Sequence, residues 1–184
     1  MSNFLPFDWH HDKFVLITGH RRENFGDGFQ QICLAILELA KKFPQVKFVY
    51  PVHLNPNVKD IVYKMLSNRK NIHLINPLSY PAFIWLMSKS HIILTDSGGI
   101  QEEAPSFGKP VLILRKNTER HEAVDSGTAK IIGTDPNIIL NEVTKLLIDK
   151  REYQKMSTAN NPFGDGNASE RIVEKSLSLI SNYN

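Results

Sequence analysis

The sequence predicts an α/β protein with a Rossmann-like, doubly wound parallel sheet. Three observations lead there. Short apolar runs alternate with helical stretches six times along the 184 residues, as successive βαβ units do. The runs are apolar almost throughout, which is the pattern of strands covered on both faces. The most polar and glycine-rich segments follow the runs directly, at the strand ends where such sheets bind ligands.

Residues 1–12 read as an irregular lead-in, and 13–184 as one domain without internal repeat, low-complexity run or dividing linker. FVLITG, Phe14 to Gly19, is the first strand. After the polar HRRENFGDG, residues Phe29, Ile32, Cys33, Ile36, Leu37 and Ala40 recur at helical spacing until Pro44 stops the helix. VKFVYPV is the second strand, and NPNVKDIVYKMLSN opens a helix with Asn-Pro. NIHLIN is the third strand. YPAFIWLMSKS is a short helix in which Trp85 is expected in the core. HIILTD is the fourth strand, followed by GGIQEEAPSFG, a short helix closed by Gly108. KPVLILR and TAKIIG are the last two strands, with the polar loop RKNTERHEAVDSGT between them. DPNIILNEVTKLLID is an amphipathic helix, and Asn167 to Tyr183 is a further one.

Composition narrows the function classes. The chain is 41% hydrophobic and 22% charged, with net charge +3 and a pI near 8.9. Its Lys and Arg are scattered among acidic residues instead of forming a stripe, which argues against nucleic-acid binding. The single cysteine, Cys33, excludes an intrachain disulfide and reads as core. No apolar run can span a bilayer, and MSNFLPFDWHHDK lacks a signal-peptide design, so a cytoplasmic protein is expected. There is no HExxH, cysteine pair or Asp-rich loop for a metal, and no GxSxG elbow. Adjacent His10 and His11 are expected on opposite sides of an extended chain.

Four segments after strands carry chemistry. HRREN offers His20, Arg21 and Arg22 beside Glu23; arginine forks suit phosphate, and histidine changes charge near neutrality. Its bland alternative is a solvated turn in which Arg and Glu pair with one another. PVHLNPN offers His53, which is equally readable as a satisfied polar residue. TDSGGIQEE is the most informative: Gly98 and Gly99 let backbone approach a ligand, N–H groups at a helix start favour an anion, and Ser97 adds a hydroxyl. It matches neither a Walker motif nor GxGxxG, and the alternative is a plain helix start. Glu102 and Glu103 cannot both face a diphosphate; one that faces the ligand should meet hydroxyls such as a ribose diol. The fourth segment places Glu119 and Arg120 mid-loop, where binding residues gather, although a solvated charged loop would look the same.

TGHRREN, YPVHLNPNV, LTDSGGIQEEAPSFGKPVLILR, TERHEAVDSGT and NPFGDGNASERI, in that order, resemble the C-terminal half of bacterial non-hydrolysing UDP-N-acetylglucosamine 2-epimerases. The similarity runs from Phe14 to the end of the chain. It implies one half of a glycosyltransferase-B-type two-domain fold, with the ligand in the cleft between halves. The implied reaction interconverts UDP-GlcNAc and UDP-ManNAc by elimination and re-addition of UDP, without NAD or metal, in cell-surface polysaccharide biosynthesis. By resemblance His20 is the essential histidine beside the diphosphate, and Ser97, Gly98 and Gly99 form the phosphate turn. Glu103 takes the ribose hydroxyls, Phe83 lies at the uracil and Arg120 binds the nucleotide. Arg21, Arg22 and His53 correspond to contributors to an allosteric UDP-GlcNAc site.

Two departures qualify the match. The family usually reads TERPE where this chain has His121. The N-terminal half, with the acidic residues assigned to moving the C2 proton, has no counterpart here, and Asp96, Glu23 and Glu119 are poor substitutes for it. The expectation is a half that is inactive until joined by its N-terminal half, with the homodimers of full-length members as a further expected assembly. Two alternatives stand beside it: a non-enzymatic UDP-binding remnant, and half of a glycosyltransferase on the same fold.

Overall fold

The computed structural model describes residue 5 and residues 7–181. Six strands form one sheet: β1 (Phe14–Thr18), β2 (Lys47–Pro51), β3 (Ile72–Ile75), β4 (Ile92–Thr95), β5 (Val111–Ile113) and β6 (Ala129–Ile131). All pairings are parallel, in the order β3-β2-β1-β4-β5-β6, so the order reverses between β1 and β4. This is the expected doubly wound topology, and the reversal is where such sheets open a crevice.

Burial explains the unbroken apolar strands. In β1, Val15 and Ile17 join one core while Phe14 and Leu16 join the other, and all four are buried. The first core packs against α1 (Asp27–Lys42), α2 (Pro56–Leu66), α6 (Pro136–Ile148) and α7 (Lys150–Ser157). The second packs against α3 (Tyr80–Lys89), α4 (Gly98–Glu103) and α5 (His121–Asp125). Successive side chains point to opposite faces, so a strand sandwiched between helices needs apolar residues at every position. Cys33 lies in the first core, and burial pushes its thiol up to about 12.

Local chemistry sets the helix starts. Asn55 accepts from Asn57 N ahead of α2, and Asp135 accepts from Asn137 N and Ile138 N ahead of α6, each followed by proline. Asp149 caps α7 in the same way, but the polar KREYQKMS carries too little apolar signal to be read as a helix from sequence. α8 (Ala168–Ser181) confirms the expected C-terminal helix; Tyr183 lies outside the described residues.

Three readings need correction. The RKNTERHEAVDSGT segment is not loop throughout, since His121–Asp125 turns into α5 and buries Ala123. Trp85 is half-buried and not in the core: it lies at the margin of the second core, edge-on against Trp9 at 5.0 Å. His10 and His11 do not lie on an extended chain: Asp8 accepts from His10 N and holds the His11 ring, which bends the segment into a turn. The lead-in has no regular element over residues 7–12, and Phe7 and Trp9 anchor it to the second core. Residues 1–4 and 6 of that lead-in lie outside the described residues.

Candidate active site at the strand ends

The carboxyl ends of β1, β2, β4 and β5 carry all four chemically loaded segments, so the sheet gathers them on one rim. Their backbone is held by a buried carboxylate. Asp96, fully buried after β4, accepts from His20 N at 3.1 and 3.0 Å, from Arg21 N at 2.9 Å and from the Asn24 side chain at 3.2 Å. Asn24 also donates to Leu114 O at 3.1 Å. Gly19 just before this contact sits in close quarters, since a Cβ there would stand 3.0 Å from the Phe29 ring and 3.1 Å from the Tyr50 hydroxyl, and those side chains would have to give way. The β1 loop is therefore folded onto the β4 loop, with the backbone of His20 and Arg21 held in place.

His20 is 44% exposed and its ring stacks on His53 at 5.3 Å. Its Nδ1 stands 3.9 Å from Asp96 Oδ1, beyond hydrogen-bond reach. Arg21 is half-buried and Arg22 exposed. Glu23 does not pair with either neighbour, as the solvated-turn reading required; its partner is Arg115, at 2.6 Å.

The Ser97 turn lies opposite. Ser97 N bonds Thr95 Oγ1 at 3.0 Å, and the Gln101 amide donates to Ser97 O at 3.1 Å, which closes the start of α4. A Cβ on Gly98 would stand 3.4 Å from the Arg120 guanidinium carbon, so the Arg120 cation lies over this turn. Gly99 is exposed, and a Cβ there would meet nothing within 4 Å. The two glutamates diverge: Glu102 accepts from Arg120 Nε at 2.6 Å, while Glu103 accepts from the Tyr80 hydroxyl at 3.2 Å. That hydrogen bond raises the Tyr80 phenol above its ordinary range. Phe83 sits one turn along α3 from Tyr80, half-buried against the second core. A concavity of about 560 Å³ opens between the β1 and β5 loops beside Glu23, Asn24, Arg115 and Glu119; Ser97, Gly98 and Gly99 are not on its wall.

Residues 2–176 match the sequence profile of the family described as UDP-N-acetylglucosamine 2-epimerase. The chain belongs to that family. Among its relatives, the Escherichia coli K12 UDP-N-acetylglucosamine 2-epimerase is 55% identical over 169 residues, which is 92% of this chain and 45% of the relative. The crystal structure of the Neisseria meningitidis UDP-GlcNAc 2-epimerase bound to UDP-GlcNAc superposes with a TM-score of 0.91 at 54% identity, over 96% of this chain and 48% of that one. The chain thus spans about half the length of the curated relatives it matches. A glycosyltransferase group 1 C-terminal domain from Francisella tularensis matches at TM-score 0.62 and 16% identity over 82% of each chain, a likeness of fold alone.

For a chain of this family, the sequence located the rim and its exposed groups but missed their supports. Arg115, Gln101, Thr118 and Tyr80 were not singled out. Two of them left a readable trace: Arg115 is the lone cation closing an otherwise apolar strand, and Gln101 is a polar residue at a core-facing helix position. A charged or amide group in an apolar pattern asks for a partner elsewhere in the chain.

Proposed function

We propose that this chain is the nucleotide-binding half of a UDP-N-acetylglucosamine 2-epimerase and holds the diphosphate of UDP-GlcNAc at Ser97, Gly98 and Gly99. The observation that carries the reading is the Arg120 guanidinium lying over Gly98, with open space before Gly99 and His20 on the facing loop. Glu103 takes the ribose hydroxyls, a role suited to a carboxylate that already accepts from the Tyr80 hydroxyl. Phe83, one turn further along α3, walls the uracil. His53, Arg21 and Arg22 serve a second, allosteric UDP-GlcNAc subsite, and the His20–His53 stack would couple the two.

In this reading the sugar loses its C2 proton and the bond from C1 to the diphosphate oxygen breaks, with its electron pair leaving on UDP. A 2-acetamidoglucal remains until UDP and a proton return with C2 inverted. The residues of this chain act on the leaving group: backbone N–H groups, the Ser97 hydroxyl, Arg120 and His20 stabilise the charge that develops on it. In this reading the proton-transfer groups come from the N-terminal half of the family fold. That half is the proposed partner, in the cytoplasm, in an assembly that is a homodimer when complete.

Calorimetric titration tests the site. UDP should bind the wild-type chain weakly, with Kd at or above roughly tens of micromolar because half the contacts are missing. Ser97→Ala and Glu103→Ala should each weaken that binding, and the chain alone should not turn over UDP-GlcNAc. Unchanged binding in both variants would move the site elsewhere, and turnover would remove the need for a second half.

A further inference from the structure

Arg115 is 6% exposed, yet it stands at the ligand-facing end of β5. Its Nε donates to Glu23 Oε1 at 2.6 Å, and its Nη1 and Nη2 donate in parallel to the two oxygens of Glu119 at 2.9 and 3.0 Å. Glu23 lies three residues after His20, and Glu119 immediately precedes Arg120. One guanidinium therefore joins the loop that carries the candidate histidine to the loop that carries the candidate arginine. The far side of the β5 loop is held as well. The Thr118 hydroxyl donates to Gln101 Oε1 at 2.5 Å and accepts from Arg120 N at 3.1 Å, while Gln101 grips Ser97 O. With Asp96 gripping His20 and Arg21, the three loops form one connected polar network, and Arg115 is the charged link between its outer members, beside the Asn24 bond to Leu114 O.

The chemistry suits a clamp better than a ligand contact. The charge of Arg115 is already met by two carboxylates, and its guanidinium, hydrogen-bonded to Glu119, holds that carboxyl down to about 2, so the pair stays ionised at neutral pH. A planar fork can serve Glu119 with one edge and Glu23 with another; an ammonium on a flexible stem cannot hold both geometries.

We propose that Arg115 is a positioning residue: by tying Glu23 to Glu119 it aligns His20 and Arg120 for a nucleoside diphosphate that it does not touch. This rests on the reading of the site given above. The free 184-residue chain and its variants are compared by hydrogen–deuterium exchange, and UDP affinity is followed by NMR titration. Arg115→Lys and Arg115→Met should raise amide exchange in residues 20–25 and 116–121 while the strands stay protected. Both should weaken UDP binding by about ten-fold or more, equivalent to about 1.4 kcal/mol. Adding Glu119→Gln to Arg115→Met should change little further, since the two act through one contact. If Arg115→Met does not fold, Glu23→Gln and Glu119→Gln, which keep the guanidinium and its other partner, should show smaller losses of the same kind.

Unchanged UDP affinity in folded Arg115 variants overturns the proposal, whether or not the loops exchange faster. In that event, weakened binding in Ser97→Ala and Glu103→Ala leaves the site reading standing. If those two variants, or the wild type itself, give no specific UDP signal, the site reading fails and the positioning role falls with it.

Discussion

Asp96 has no freedom to be anything but an acceptor. It is fully buried and faces two backbone N–H groups and the Asn24 amide. Asp96→Asn keeps the volume but turns an N–H donor toward donors and leaves at least one buried group unsatisfied. Such a loss costs about 1–3 kcal/mol. Chemical denaturation should therefore show a lower midpoint with an unchanged m-value, and the His20 loop should exchange faster. At this scale the sequence was legible for exposed groups and opaque for buried ones. His20, Ser97 and Arg120 could be picked out because they follow strands. The function of Asp96 as a pin could not, because its partners lie 72 to 76 residues away in the chain.

At the level of elements, two joints in the fold invite tests. Gly108 ends the 3-10 turn after α4 in left-handed backbone, φ +60, and a Cβ there would stand 2.8 Å from Ser157 O of α7. Gly108→Ala pays about 1–2 kcal/mol for the backbone conformation alone, and a backbone carbonyl cannot step aside as a side-chain tip can. The melting temperature should fall by at least roughly 2–4 °C, measured by calorimetry. His91, ahead of β4, stacks on Tyr153 of α7 at 4.2 Å; burial, then Lys13 and Lys109, press its pKa down to about 4. The unfolded imidazole binds a proton near its ordinary 6.5 while the native one refuses it. The unfolded state thus holds more protons between these values, and stability should drop as pH falls from about 6.5 toward 4. His91→Gln should flatten that part of the melting-temperature profile. Both joints involve α7, which the sequence did not announce: its helix rests on the Asp149 cap and on Tyr153 and Met156 packing on the core, not on apolar periodicity.

At the scale of the molecule, α8 stands out among the described residues for how little of it is covered. It buries no residue, and Val173, Leu177 and Ile180 form an exposed stripe at helical spacing, 56 to 62% exposed. An apolar stripe of this kind marks a contact surface. We expect it to take part in contacts with the N-terminal half of the family fold. Val173→Glu with Ile180→Glu should leave the stability of the chain within about 0.5 kcal/mol, as exposed substitutions do. The same pair should abolish co-elution with the N-terminal half of a relative on a sizing column. Retained co-elution would assign the stripe another role.

The sequence by itself determined the layered fold and the end of the sheet where chemistry gathers, because strand and helix periodicity and the residues after each strand are properties of neighbours along the chain. Only the tertiary structure decided which charges meet. It paired Glu23 and Glu119 with Arg115, Glu102 with Arg120, and three donors with Asp96. Those partners are brought together by the order of strands in the sheet, a through-space relation that no local pattern of residues encodes.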